Sequence, residues 1–373
     1  MIMSDIIIIG GGILGASTAY HLAKLGNNVT VIDKEEPGSA TDAAAGIICP
    51  WISQRRNKVW YSLAVKGAGY YPALIHELKQ DGITNTGYKK TGALVIRTEK
   101  KQAERLFKLA EERQADAKEI GAISFLSPNQ IAKHMPVLSE QYFGVHLEGG
   151  ARVDGKLLKQ SLIDAAKKYG AKFHVGEAKL KNNSSHLEVL LNDEKMKADQ
   201  IVLTNGAWLP DLIKATHPIC KVKAQKAQIS HIHVKNHETD EWPVVIPAGT
   251  KYIVPFSNGK IVVGTTHEDE HQFNTNVTAK GLHEILHQAL HIAPGLAKAE
   301  LVETKVGFRP AAPNFLPVFG RLPGYQEVYL ANGLGSSGLT TGPFLGKELA
   351  AFITNQSMEL DPNDYNVSCL FEE

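Results

Sequence analysis

The stretch DIIIIGGGILGASTAYHLAKLGNNVTVID, residues 5 to 33, decides the fold. Asp5 to Ile9 is a β-branched run closed by glycine, the pattern of a strand buried on both faces of a parallel sheet. Ile13 to Leu25 has helix-forming composition and stops at Gly26, and Asn28 to Ile32 is a second β-branched strand that delivers Asp33. The result is a βαβ unit with G-x-G-x-x-G at its turn. Gly10 serves the tight turn, Gly12 lets the backbone approach a pyrophosphate, and Gly15 lets the helix pack closely on the sheet. The N–H groups at the helix start receive the phosphates, and Asp33 accepts hydrogen bonds from an adenosine ribose.

The motif does not separate FAD from NAD. Beyond Asp33, however, small residues continue through PGSATDAAAGIICPW, residues 37 to 51, and allow close approach by something bulky. Thr41 and Asp42 are placed to cap a helix beginning at Ala43, which would offer more N–H donors to the same pyrophosphate.

Composition narrows the function classes. The chain has 373 residues, long enough for two domains, and its 43% apolar and 21% charged residues are those of an ordinary globular protein. With 40 Lys+Arg against 39 Asp+Glu and no basic block, nothing marks a nucleic-acid or anionic-membrane partner; small molecules are expected instead. Cys49, Cys220 and Cys369 are too scattered for a disulfide framework or a cysteine metal site. The run Ile6 to Ile9 is too short for a signal or a membrane span, so a cytoplasmic location is expected. A homo-oligomer is left open.

GGGILG, Asp33 and TDAAAGI together resemble the D-amino-acid oxidase superfamily of FAD-dependent oxidoreductases, and glycine oxidase and sarcosine oxidase above all. The likeness continues in ARVDGKLLKQSLIDAAKKYGA (151 to 171), IVLTNGAWLP (201 to 210), KYIVPFSNGKIVVGTTH (251 to 267), VGFRP (306 to 310) and GLGSSGLTTGP (333 to 343). It implies an α/β protein: a Rossmann-type FAD-binding domain (1–85, 146–215 and 305–373) interleaved with a substrate domain on an antiparallel sheet (86–145 and 216–304). It also implies one FAD gripped at both chain ends. Its contacts would be Gly10, Gly12, Ile13, Leu14, Gly15, Asp33, Lys34, Thr41, Asp42, Ala45, Gly46 and Ile47, then Gly333, Leu334, Gly335, Ser336, Ser337, Gly338, Leu339 and Thr340. The family's covalent members attach flavin through a cysteine in that last loop; serines stand here, so FAD is expected to be noncovalent.

A strand from Glu327 to Ala331 and a helix from near Thr340 to Phe352 would aim free N–H groups at the negative charge of reduced flavin. In the other half, Thr91 to Thr98 and Ala224 to Val234 read as strands and Lys101 to Lys118 as a helix. Lys251 to Phe256 and Lys260 to Thr266 form a hairpin around Asn258-Gly259. A two-residue turn there pairs Tyr252 with Thr265 and sets His267 diagonally on the same face, whereas a three-residue loop puts them on opposite faces. Arg309, in the apolar setting VGFRPAAP, needs an anionic partner and has the fork to hold a carboxylate. The resemblance makes Arg309 and Tyr252 the ligands of the substrate carboxylate and His267 a side chain facing substrate.

The reaction implied is oxidation of the Cα–N bond of glycine or a D-amino acid by hydride transfer to flavin N5, with sarcosine or another N-substituted, including glycated, amino acid as the alternative. A non-catalytic flavin-binding protein is the alternative of another class. Trp51, Arg55 and Arg56, just after the small-residue segment, either extend the substrate site or form a solvated loop.

Overall fold

The computed structural model describes residues 3–183, 186–269 and 272–371. Asp5–Ile9 is buried along nearly its whole length because it is the inner strand of a six-stranded sheet. It pairs in parallel with Asn28–Asp33 on one side and Gln200–Leu203 on the other. Lys172–Val175 continues the sheet beyond Asn28–Asp33, and Val328–Asn332 beyond Gln200–Leu203, with Val318–Arg321 as an antiparallel edge. A strand with neighbours on both sides and layers above and below has no solvated face, which is why its sequence runs apolar without alternation.

The first helix, Ile13–Lys24, lies against the last, Gly338–Ile353. Their approach is close: a Cβ at Gly346 would stand 2.6 Å from the Cβ of Ser17, and the Ser17 hydroxyl donates to Pro343 O at 2.7 Å. The start and finish of the chain are therefore packed side by side on one sheet.

The second large sheet has nine strands. Lys223–His233 is its long member, paired with Lys260–Gly264 on one side and Glu300–Ala311 on the other. Tyr252–Pro255, Val244–Ile246, Ala93–Arg97, Phe143–Leu147 and Ile123–Leu126 follow in order. All pairs are antiparallel except Val244–Ile246 with Ala93–Arg97, which departs from a purely antiparallel expectation. Helix Ala279–Ile292 covers this sheet through Ile285, Ala289 and Ile292, its regularly spaced apolar stripe. No helix among the described residues is long and apolar enough to cross a membrane.

Candidate active site

A single cavity of about 1620 Å³ runs from the glycine turn of the first strand to the inner surface of the nine-stranded sheet. At its dinucleotide end lie Gly10 to Leu14, Asp33 and Lys34. Gly10 has φ +103°, and a Cβ there would stand 2.6 Å from the Asn205 backbone. Gly12 differs: its φ is ordinary and a Cβ would meet only the Thr41 hydroxyl at 3.5 Å. The protein itself leaves the space over Gly12 open, as a pyrophosphate requires. Gly12 also caps the first helix with no side chain on it, so the positive helix end faces the cavity. Gly15 does not line the cavity; a Cβ there would lie 1.9 Å from Gly10 O, which makes it a packing residue.

Asp33 lines the cavity and is held by the backbone, accepting from Gly11 N through Oδ2 and from Glu35 N at 2.6 Å through Oδ1. Each carboxylate oxygen keeps a lone pair for a further donor. Gly11 was not singled out by the motif, and its N–H is what orients the acid.

The expected helix at Ala43 does not form: residues 41–43 are a turn, and the chain moves on to the short strand Ile47–Ile48. Thr41 instead accepts from Ile13 N at 3.1 Å, capping the first helix from outside, and Asp42 pairs with Lys159 at 2.7 Å. Both still line the cavity, with Ala45, Gly46 and Ile47.

At the other end the carboxyl-terminal loop closes the wall. Its strand is Val328–Asn332, one residue later than read, and the helix begins at Gly338, ahead of Thr340. Leu334, Gly335, Ser336, Gly338, Leu339 and Thr340 line the cavity. Gly333 and Ser337 do not. Gly333 makes the turn at φ +80°, and Ser337 faces inward, donating to Leu334 O and accepting from the Trp60 indole at 3.2 Å. No side chain caps this helix. Two helix starts thus face one cavity, one at each end, the first capped across the fold by Thr41 and the second bare.

The substrate end is built by the nine-stranded sheet. The Asn258-Gly259 turn is present, both residues left-handed, but Phe256 N donates to Lys260 O at 2.7 Å, which shifts the ladder by one residue. Tyr252 therefore pairs with Gly264, correcting the expected pairing with Thr265. Tyr252 and His267 nevertheless both line the cavity, because the ladder ends at Gly264 and the chain from Thr265 onward leaves the strand's alternation.

Arg309 stands opposite Gln225 in the Glu300–Ala311 ladder. Its guanidinium reaches Thr265 Oγ1 at 3.1 Å, His267 Nδ1 at 3.1 Å and Gln225 Oε1 at 3.4 Å. No Asp or Glu among the described residues pairs with it, so the expected anionic partner is not supplied by the protein. Burial pulls its pKa below the usual arginine range. Burial pushes the Tyr252 phenol up, while Arg309 beside it draws it down. His267 sits at the exposed rim, and burial of its ring together with Arg309 and Lys251 lowers its pKa, against the pull of Glu284 and Asp269. The ring is therefore neutral at pH 7.

Lys251, Trp208 and Phe273 also line the cavity and were not read as site residues. Trp51, Arg55 and Arg56 do not line it. Trp51 is a core residue with 1% exposure, Arg55 stacks 4.3 Å over the Trp60 ring, and Arg56 is exposed. Cys49 is half-buried beside the same core, and burial pushes its thiol up to about 12.

The profile of the DAO family, described as FAD dependent oxidoreductase, matches residues 5–352. The chain belongs to this family. As a DAO-family enzyme it uses FAD, and the cavity fits that cofactor: a bare backbone at Gly12, an acid at the adjoining strand end, and a second helix start at the far end. No cysteine lines the cavity, in keeping with a noncovalent flavin. This DAO-family protein is 50% identical over 366 residues to the uncharacterized oxidoreductase YurR of Bacillus subtilis (strain 168), covering 98% of each. It is similar to the crystal structure of iminodiacetate oxidase from Chelativorans sp. BNC1, with 40% identity, a TM-score of 0.94, and 97% and 98% of the two chains covered. It is 25% identical over 366 residues to glycine oxidase of Geobacillus kaustophilus (strain HTA426), covering 96% of this chain and 94% of the relative.

Proposed function

We propose that this FAD-dependent oxidoreductase oxidises the Cα–N bond of a small α-amino acid whose carboxylate is seated on Arg309. The observation that carries the reading is the Arg309 guanidinium, half-buried in the wall of the flavin cavity with only neutral partners. A cation drawn partly out of water without an anion is costly unless a ligand brings one, and the planar fork suits a carboxylate. We also infer the division of labour expected from the sequence, with residues 1–85, 146–215 and 305–373 holding FAD and 86–145 and 216–304 presenting substrate, except that Arg309 reaches the substrate from the strand Glu300–Ala311, which crosses that boundary.

When bound, FAD supplies the acceptor for a hydride leaving Cα. The residues of the chain do the rest by position and charge. Arg309 and the Tyr252 hydroxyl hold the carboxylate, and Thr265 and His267 hold Arg309. The cations Arg309 and Lys251 disfavour an ammonium nearby, so the amine enters neutral with its lone pair available. Cα gives up two electrons and one hydrogen, the nitrogen gives one proton to water, and the resulting C=N is hydrolysed by one water to a keto acid and an amine or ammonia. No strong protein base is needed once the amine is neutral.

Similarity to glycine oxidase supports glycine or a D-amino acid as substrate. A second reading, an N-substituted amino acid, is favoured by the higher identity to iminodiacetate oxidase. Anaerobic mixing of the flavin-loaded protein with glycine, D-alanine, sarcosine and iminodiacetate, followed by flavin absorbance, tests both. Bleaching by at least one is expected. A flavin that none of them reduces, nor any other small amino acid, would overturn the proposal.

A further inference from the structure

We propose that Lys251 receives a second carboxylate, so that the preferred substrate is a secondary amine with a carboxymethyl group on each side of nitrogen. The inference rests on the Cα–N oxidation proposed above and names the substrate class of that same site.

Its basis is the placement of two cations around one residue. Lys251 Nζ donates to Thr265 O at 2.7 Å, and Arg309 Nη2 donates to Thr265 Oγ1 at 3.1 Å. Both side chains line the cavity, with Tyr252 beside them. Lys251 immediately precedes the strand Tyr252–Pro255, and both it and Tyr252 line the cavity. Its ammonium has three N–H groups. One is spent on Thr265 O and one on Glu284, leaving a third for the cavity.

Glu284 does not make Lys251 redundant. The carboxylate is on the covering helix with its side chain 43% exposed, whereas the Lys251 side chain is 16% exposed. Glu284 does not line the cavity and Lys251 does, so an anion in the cavity can share the ammonium. A monocarboxylate such as glycine or sarcosine occupies Arg309 and leaves Lys251 with its protein partners alone, Thr265 O and Glu284. A dicarboxylate with nitrogen midway engages both cations and thereby fixes the nitrogen and its two methylenes between them. His267, uncharged at the rim, adds no third anion site.

Sarcosine is the matched control, since it differs from iminodiacetate by the second carboxylate alone. The flavin-loaded wild type is expected to favour iminodiacetate over sarcosine in kcat/KM by about tenfold or more, and Lys251→Met to collapse that ratio by about tenfold. Lys251→Arg should restore most of the ratio. Diglycolate, in which ether oxygen replaces nitrogen, should perturb the wild-type flavin spectrum at lower concentration than methoxyacetate, and Lys251→Met should abolish the difference. Glu284→Gln, which releases the ammonium, should tighten diglycolate; this arm stands even if Lys251→Met fails to fold. A wild type that oxidises sarcosine as well as iminodiacetate overturns the inference and leaves Cα–N oxidation intact. So does a ratio unmoved by Lys251→Met, or weaker diglycolate binding in Glu284→Gln. A wild type inert to every amine overturns the proposed function instead.

Discussion

Arg309 and Gly12 are the two residues whose substitution separates substrate from cofactor. Arg309 has neutral neighbours and faces the cavity, so Arg309→Ala removes the fork without stranding a protein carboxylate. Loss of about 100- to 1000-fold in kcat/KM is expected, with FAD retained, measured by steady-state kinetics beside the flavin spectrum. Gly12→Val makes the opposite cut. A Cβ at Gly12 meets nothing closer than 3.5 Å, and its φ of −64° suits any residue, so the chain should fold. The added side chain would fill the pyrophosphate space, and the purified protein is expected to be colourless with an unchanged far-ultraviolet spectrum.

Two histidines, His21 half-buried and His231 buried, contribute to the acid sensitivity of the fold. Burial, with Lys24 and Lys347 nearby, pulls His21 down to about 3, and burial, with Lys305 and Lys260, pulls His231 down to about 4 despite Glu303 and Asp154. Both are lowered, so the unfolded chain binds protons that the folded chain refuses. Their contribution to stability is complete above the ordinary histidine pKa and is lost as pH falls from about 6.5 towards 4, by up to about 1.4 kcal/mol per pH unit for each ring. Neither His231 nitrogen has a hydrogen-bond partner among the described residues. His231→Leu is expected to raise the thermal midpoint at pH 7 and to flatten the loss between pH 6.5 and 4, read by melting curves across that range.

At the scale of elements, the crossing of the first and last helices joins the two ends proposed to hold FAD. Gly346 permits that crossing, and a Cβ there would fall 2.6 Å from Ser17 Cβ and 2.9 Å from Thr18 N. Gly346→Val should cost about 1–3 kcal/mol of stability and weaken FAD as well, measured by melting and by flavin titration, because both helix starts shift together. The elements themselves were largely legible in the sequence, since β-branched runs and glycine stops are local signals. Register was not. The Asn258-Gly259 turn is where the dipeptide puts it, yet a single Phe256–Lys260 hydrogen bond moves every pair along by one. The second strand of the hairpin also pairs with Lys223–His233, which lies outside it, so the dipeptide is not the only constraint on register. The helix read at Ala43 failed for a related reason: Thr41, a good local cap, is recruited across the fold by Ile13 N.

For the whole molecule, one cavity touches the glycine turn, the carboxyl-terminal loop and the nine-stranded sheet, so a cofactor filling it would tie together segments far apart in the chain. A ligand that binds only the folded state stabilises it in proportion to the logarithm of its concentration, about 2.7 kcal/mol at a hundredfold excess over Kd. The thermal midpoint should therefore rise with added FAD and stay unmoved by NAD.

The sequence by itself determined the dinucleotide unit and the cationic character of Arg309, whereas one cofactor held at both chain ends was implied only by the family resemblance. The first two follow from residue type and from spacing along one short stretch, where backbone conformation and charge are set locally. Tertiary structure alone decided that Lys251 joins Arg309 around Thr265, that Trp51 lies in the core away from the cavity, and that Asp33 is oriented by Gly11. Those outcomes depend on which distant elements meet. Adjacent residues of a strand are expected on opposite faces, yet Lys251 and Tyr252, just before and at the start of Tyr252–Pro255, both line the cavity.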